Sequence, residues 1–236
     1  AWKERSSENT ASLWITGRGG EKRQQIVSLE SELQSSQLSD TYVGYKKSTR
    51  VSMERVDEQI INYDLIEDVL NLLLLENHND MLSLPASDAV ISPNAAVLIF
   101  LPGLGEIRAL SERLRGSYKF GDRRKFDIIP MHSSLSPKEQ RRAFLKPKGE
   151  VRKIILATNI CETSITIPDV AFVIDSGLAR EVRQNKLTGT SGLVLDWCSK
   201  ASAKQRSGRA GRVQSGICCK LYSSQTGTRV MKDQAM

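Results

Sequence analysis

From residue 95 onward, short and almost unbroken apolar runs alternate with stretches that are apolar along one side only. The runs are Val97–Leu101, Phe126–Met131, Lys153–Ala157, Val170–Asp175 and Gly216–Tyr222. Runs this short and this uniformly apolar predict strands buried on both faces, the pattern of a parallel sheet. Between the first two, Leu104, Ile107, Leu110, Ser111 and Leu114 fall on one helical face, and Pro137 opens a second helix running through Phe144. Strand, helix and strand in succession imply right-handed crossovers, so the expected fold class is α/β, a doubly wound, mainly parallel sheet with helices on both faces. Such sheets bind ligands beyond the carboxyl ends of their strands, which directs attention to the residues just after each run.

Upstream the pattern is different. Ile60, Tyr63, Ile66, Leu70, Leu73 and Leu74 recur at helical spacing, and Asp64 followed by Glu67 has the form of a capping box that starts the main helix at Asp64. Residues 77–94, with Pro85 and Pro93, read as the connection into the sheet. Residues 1–50 are rich in Ser, Gln, Glu and Lys, contain Gly17-Arg18-Gly19-Gly20, and show no long apolar periodicity beyond a short helical possibility at Ile26–Leu33. They read as a linker or insertion, partly disordered. The expected organisation is therefore 1–50 as linker, 51–94 as a helical lead-in and 95–236 as the α/β unit.

Composition narrows the partner. Lys and Arg total 34 against 27 Asp and Glu, a net charge of +7 that favours an anionic partner, most simply a nucleic acid. Hydrophobic residues at 39% and charged ones at 26% give the balance of a soluble globular chain. The apolar run Leu72–Leu75 is far short of the ~20 residues that span a bilayer, and no signal peptide opens the sequence, so an intracellular setting without a membrane partner is expected. Cys161, Cys198, Cys218 and Cys219 form no C-x-x-C pair and no zinc spacing with His78 or His132, so free thiols and no metal centre are expected.

The segment richest in chemistry is Gln205-Arg206-Ser207-Gly208-Arg209-Ala210-Gly211-Arg212. Arginines at every third position share one side of a helix and offer several guanidinium forks to one anion, for which phosphate is well suited. A solvated basic face is the alternative. Glycine inside a helix costs about 1 kcal/mol relative to alanine, so two of them point to a surface that something approaches closely.

That segment resembles motif VI, Q-R-x-G-R-x-G-R, of superfamily 2 helicases, in the form typical of DEAH/RHA (DExH-box) RNA helicases. Val97–Gly103 resembles motif IV and Leu156–Ile167 resembles motif V, while His132–Leu135 and Val173–Gly177 look like flanking blocks of the same family. The resemblance covers about residues 95–225, and Ile167–Val170 with Ser199–Ala203 look most like the RNA helicase A branch, including its translation-associated members. It implies the second RecA-like lobe of an ATP-dependent RNA helicase.

The same resemblance implies roles. Arg209 and Arg212 reach the ATP γ-phosphate, Gln205 positions the attacking water or the phosphate, and Arg206 is either a third such group or a structural ion-pair partner. Thr158 and Asn159 follow a buried strand, where a hydroxyl and an amide can bond an RNA phosphate without reading sequence, and Thr163 falls in the same motif. Ser164 and Thr166 connect that end to the nucleotide. Phe144 matches the aromatic that stacks on adenine, with a core phenylalanine as the alternative, and Gly103 lies beside the RNA backbone or simply opens a helix. Many relatives place Asp after the Thr-Ile pair of motif V to meet the ribose, whereas this chain has Pro168 there and Asp169 next, so Asp169 substitutes or the contact is lost. His132 is given no catalytic role.

The sequence holds no G-x-x-x-x-G-K-[ST] phosphate loop and no Asp-Glu-x-His motif. Both belong to the first lobe of such a helicase, so the chain is expected to be part of a longer protein and inactive alone. ATP with Mg2+ is the implied cofactor, its metal held mainly by the first lobe. The implied partners are RNA, the first RecA-like lobe and C-terminal domains of the same protein, and a ribosome or other ribonucleoprotein, in a cytoplasmic more than a nuclear setting. The alternative function is a non-catalytic nucleic-acid-binding or scaffold module with a helicase fold. A DNA helicase of the same superfamily also stays open.

Overall fold

The computed structural model describes residues 10–16, 22–28, 42–74, 91–92, 94–145, 147, 149–162, 167–184, 191–212 and 215–233. The chain divides into two units, Ala1–Val56 and Asp57–Met236. In the first, β1 (Thr10–Thr16) and β2 (Lys22–Ser28) pair antiparallel with Thr10 opposite Ser28 and Thr16 opposite Lys22, and α1 (Lys47–Arg55) follows. The short helix expected from Ile26 is corrected here: Ile26, Val27 and Ser28 end a strand, and 29–33 lie outside the described residues. β-Branched and aromatic residues at Thr10, Trp14, Ile15, Thr16, Ile26 and Val27, with glycines in the sequence between, favour a hairpin over a helix.

The second unit begins with α2 (Tyr63–Leu74) and continues through β3 (Ala96–Phe100), α3 (Leu104–Gly116), β4 (Phe126–Met131) and α4 (Pro137–Arg141) with its 3-10 turn Arg142–Phe144. Then come β5 (Arg152–Ala157), β6 (Val170–Asp175), β7 (Leu178–Gln184), β8 (Ser191–Trp197), α5 (Lys200–Ser207) and β9 (Ile217–Lys220). Five strands form one parallel sheet in the order β4-β5-β3-β6-β9. These are the apolar runs read from the sequence, with ends shifted by a residue or two. β3 lies at the centre, and every one of its side chains is buried.

Alternation along the strands sends side chains to two cores. One face carries Val97, Ile99, Ile128, Ile154, Leu156 and Phe172 against Ile66, Leu70 and Leu73 of α2 and Ile107, Leu110 and Leu114 of α3. The other carries Leu98, Phe100, Ile129, Ile155 and Val173 against Ala143, Cys161, Ile167 and Ala210. The functional segments thus form the cover of the second face.

Two local expectations change. α2 starts one residue before Asp64, because Asn62 caps it: the Leu65 N–H donates to Asn62 Oδ1 at 3.0 Å. Asp64 and Glu67 instead turn outward to Arg113 of α3, with 2.6 Å from Arg113 Nε to Glu67 Oε1. α4 has the capping box, Ser136 with Glu139 and Pro137 behind it, but tightens into a 3-10 turn before Phe144.

The antiparallel pair β7–β8, Leu178 opposite Trp197, was not expected from the sequence. It leaves the sheet through Gly177, whose φ of +73° is left-handed and whose missing side chain makes room for Tyr222: a Cβ there would sit 2.5 Å from Tyr222 Cδ1. Tyr222 meets Trp197 edge to face at 6.1 Å and packs with Ala179, Cys198, Ala203 and Met231 in a third cluster. No helix among the described residues is long and apolar enough to cross a membrane.

Candidate nucleotide and nucleic-acid site

α5 opens at Ser199, whose Oγ accepts the Ser202 N–H at 3.1 Å, and closes at Gly208. Arg206, Arg209 and Arg212 therefore do not share one helix, and the glycines are not inside one. Only Arg206 is helical. The helix ends at Gly208, and the chain continues as a turn in which the Arg209 N–H donates to Arg206 O at 3.1 Å. Leaving the helix lets the three arginines take three separate positions.

Arg206 points inward and is 1% exposed. Its Nε donates to Glu162 Oε1 at 2.7 Å, and an Nη donates to Asp175 Oδ1 at 2.9 Å and to Leu178 O at 3.2 Å. Its guanidinium also lies 5.1 Å from the centre of the Phe100 ring. Burial works against its charge, but Asp175 and then Glu162 outweigh it and hold its pKa above the ordinary arginine value. Of the two roles left open, Arg206 takes that of structural ion-pair partner.

Arg209 is also buried, and donates to the carbonyl oxygen of Glu162. Burial, and next the positive charge of Arg212, push its pKa below the ordinary value. Arg212 itself is exposed. Together with Leu98, Cys161, Ile167 and Val170 the two arginines line a small cleft. Two guanidiniums that repel each other in a cleft with apolar walls are stabilised by an anion between them. Gln205 is exposed on the last turn of α5.

A second group gathers before the strands. Phe144 packs partly buried against the second core, and Arg142 fastens its turn to β4 through Asp127 at 2.6 Å. Lys153, 1% exposed, donates from Nζ to Ala143 O at 2.7 Å and Leu145 O at 3.1 Å, and pairs with Asp169 Oδ1 at 2.8 Å. Phe144 and Asp169 thus meet through Lys153. They precede β5 and β6, at the opposite strand ends from those to which the sequence directs attention.

The carboxyl ends hold the other half. Thr158 is buried, its N–H donates to Met131 O at 3.3 Å, and it opens a 3-10 turn that presents Asn159 to solvent. The Leu101 N–H donates to Ala157 O at 2.8 Å, which brings the Gly103 turn beside this one. Gly103 has an extended backbone and opens α3, and a Cβ there would come within 3.0 Å of Glu106 and 3.2 Å of Arg180, an ion pair of 2.7 Å. Thr163, Ser164 and Thr166 lie outside the described residues. His132 is engaged by Ser134 Oγ at 2.8 Å.

Sequence reasoning missed Lys153, Glu162 and Asp175. For Lys153 and Asp175 the available signal was a charge in an apolar run, which a buried strand tolerates only when it is paired, whereas Glu162 follows a 3-10 turn and carried no such signal. Among the described residues no group of three or more His, Cys, Asp and Glu could hold a metal. Glu162 and Asp175 serve Arg206 and Asp169 serves Lys153, so these residues do not fit a magnesium ion.

The four cysteines are free. Burial pushes the thiol of Cys161 up to about 12 despite nearby Arg209, that of Cys198 to about 11 and that of Cys218 to about 12. At pH 8 iodoacetamide is expected to alkylate these three at least tenfold more slowly in the native protein than in denaturant, read by mass spectrometry. An ordinary thiol in the unfolded chain ionises near 9.0, so the thiols contribute stability below that pH, and the contribution fades as pH rises toward 11 and 12.

The profile of the helicase conserved C-terminal domain matches residues 84–214. ATP-dependent RNA helicase dhx29 of Xenopus laevis is 41% identical over 218 residues, covering 92% of this chain and 15% of that protein. Putative ATP-dependent RNA helicase DHX57 of Homo sapiens is 42% identical over 197 residues, covering 83% of this chain and 13% of that protein. The crystal structure of the E. coli DExH-box NTPase HrpB superposes with a TM-score of 0.61 at 31% identity, over 77% of this chain and 20% of that one. The chain thus spans a small part of the length of its relatives. With a RecA-like parallel sheet, an arginine turn closing a cleft and a family profile that runs through both, this chain belongs to the helicase conserved C-terminal domain family, and its relatives are DEAH/DExH-box RNA helicases.

Proposed function

We propose that the chain is the second motor lobe of an ATP-dependent RNA helicase, coupling ATP hydrolysis to RNA unwinding or remodelling. The observation that carries this reading is the pair Arg209 and Arg212 at one cleft, with Arg209 anchored by the Glu162 carbonyl and Arg212 at the surface. ATP lies between this lobe and the first RecA-like lobe. Arg212 reaches the transferring phosphoryl group, Arg209 neutralises charge beside it, and Gln205 orients water or phosphate. Phe144 supplies a platform for the base, with Ser164 and Thr166 on the same path.

RNA is held at the carboxyl ends of β3 and β5 by Gly103, Thr158 and Asn159 through its backbone and without sequence readout, a role shared by Thr163 of the same motif. Glu162 links the two regions: it follows the Thr158–Cys161 turn and holds both Arg206 and Arg209. A shift of that turn on RNA therefore moves the arginines, the connection that RNA-stimulated hydrolysis requires. The setting proposed is cytoplasmic, on a ribosome or other ribonucleoprotein, with magnesium held by the first lobe.

The test is ATP hydrolysis by the intact protein with and without single-stranded RNA. Stimulation by RNA supports the motor. RNA binding without hydrolysis replaces it with a binding scaffold.

A further inference from the structure

Lys153 stands in a strand where its charge has no access to water, at 1% exposure. Its ammonium donates to Ala143 O at 2.7 Å and Leu145 O at 3.1 Å, and its charge is balanced by Asp169, whose Oδ1 stands 2.8 Å away as an ion pair. The two carbonyls belong to the residues on either side of Phe144. That aromatic is therefore carried on a stretch of backbone pinned at both ends to β5. Asp169, in turn, is fixed by its own carbonyl, which accepts the Ala96 N–H of β3 at 2.7 Å.

We propose that Lys153 is a positioning residue that locks the Phe144 platform to the start of β6, and that Asp169 serves this lock and not the nucleotide ribose. The proposal rests on the reading of Phe144 as the base platform. The Asp169 side chain is 16% exposed and holds the only carboxylate paired with Lys153 among the described residues. Turning it toward a ribose would leave a buried ammonium without its counter-charge, a large penalty in an apolar interior. Pro168 offers no N–H in its place. The ribose hydroxyl consequently meets no carboxylate at this position.

The experiment measures RNA-stimulated hydrolysis of ATP and of 2′-deoxyATP by the intact protein, for wild type, Phe144→Ala, Asp169→Asn and the double variant Lys153→Met with Asp169→Asn. The double variant removes both buried charges together, which keeps the fold accessible. It is expected to raise KM about tenfold for both nucleotides, with kcat and RNA affinity within about twofold of wild type. Asp169→Asn, which keeps an acceptor for Lys153, is expected to treat the two nucleotides alike. A KM that rises for ATP alone in Asp169→Asn makes Asp169 a ribose ligand and overturns the proposal. A KM raised by Phe144→Ala but unchanged in the double variant overturns the role of Lys153 alone. An unchanged KM in Phe144→Ala removes the base platform and the proposal with it.

Discussion

Arg212→Ala in the intact protein is expected to lower RNA-stimulated ATP turnover by about 1,000-fold or more, the scale of an arginine that stabilises a phosphoryl-transfer transition state. The same substitution is expected to shift stability by less than about 0.5 kcal/mol, because Arg212 is exposed and lies in a turn beyond the helix. Loss in kcat without loss in melting temperature is the signature. Arg212→Lys is expected to recover little, since an ammonium is a point charge and cannot fork across two phosphate oxygens. Turnover equal to wild type in Arg212→Ala would remove this residue from the phosphate.

Arg206→Met is expected to act in the opposite way, destabilising the lobe by about 3–5 kcal/mol. Glu162 and Asp175 would face each other in the interior with no cation between them, since both close on the same guanidinium at 2.7 and 2.9 Å. For a domain of this size each kcal/mol corresponds to about 2–4 °C in melting temperature, so thermal unfolding reads the effect directly. Adding Glu162→Gln and Asp175→Asn to Arg206→Met is expected to recover part of the loss, because the uncompensated charges leave with the cation. A melting temperature within a degree of wild type would show that the buried network is not what holds α5 to β6. Two arginines of one octapeptide thus separate cleanly, one acting through stability and one through turnover.

The sheet was legible because its five strands are buried on both faces and so are apolar without interruption, as in Ala96–Phe100. α3 was legible because one face packs and the other does not. β7 and β8 were not, since Arg180 and Arg183 break the apolar pattern of the first and the second keeps Leu193, Val194 and Leu195 exposed. The motif arginines were found by their spacing, but that spacing alone could not show the helix ending at Gly208, an outcome decided by where Glu162 and Asp175 stand in three dimensions. Lys153 shows the same limit. Its partners are two carbonyl oxygens and a carboxylate from residue 169, a combination that no local window contains.

The order of strands across the sheet differs from their order along the chain. β3, the first of the five to be synthesised, ends at the centre, with Val97 opposite Ile154 on one side and Phe172 on the other. On a translating ribosome that strand emerges with every side chain apolar and neither neighbour yet made. Contacts so distant in sequence form slowly, so the half-made lobe exposes its stickiest segment while the remainder is being added. Chaperone dependence during synthesis, greater than that of a meander of similar size, follows from the topology itself.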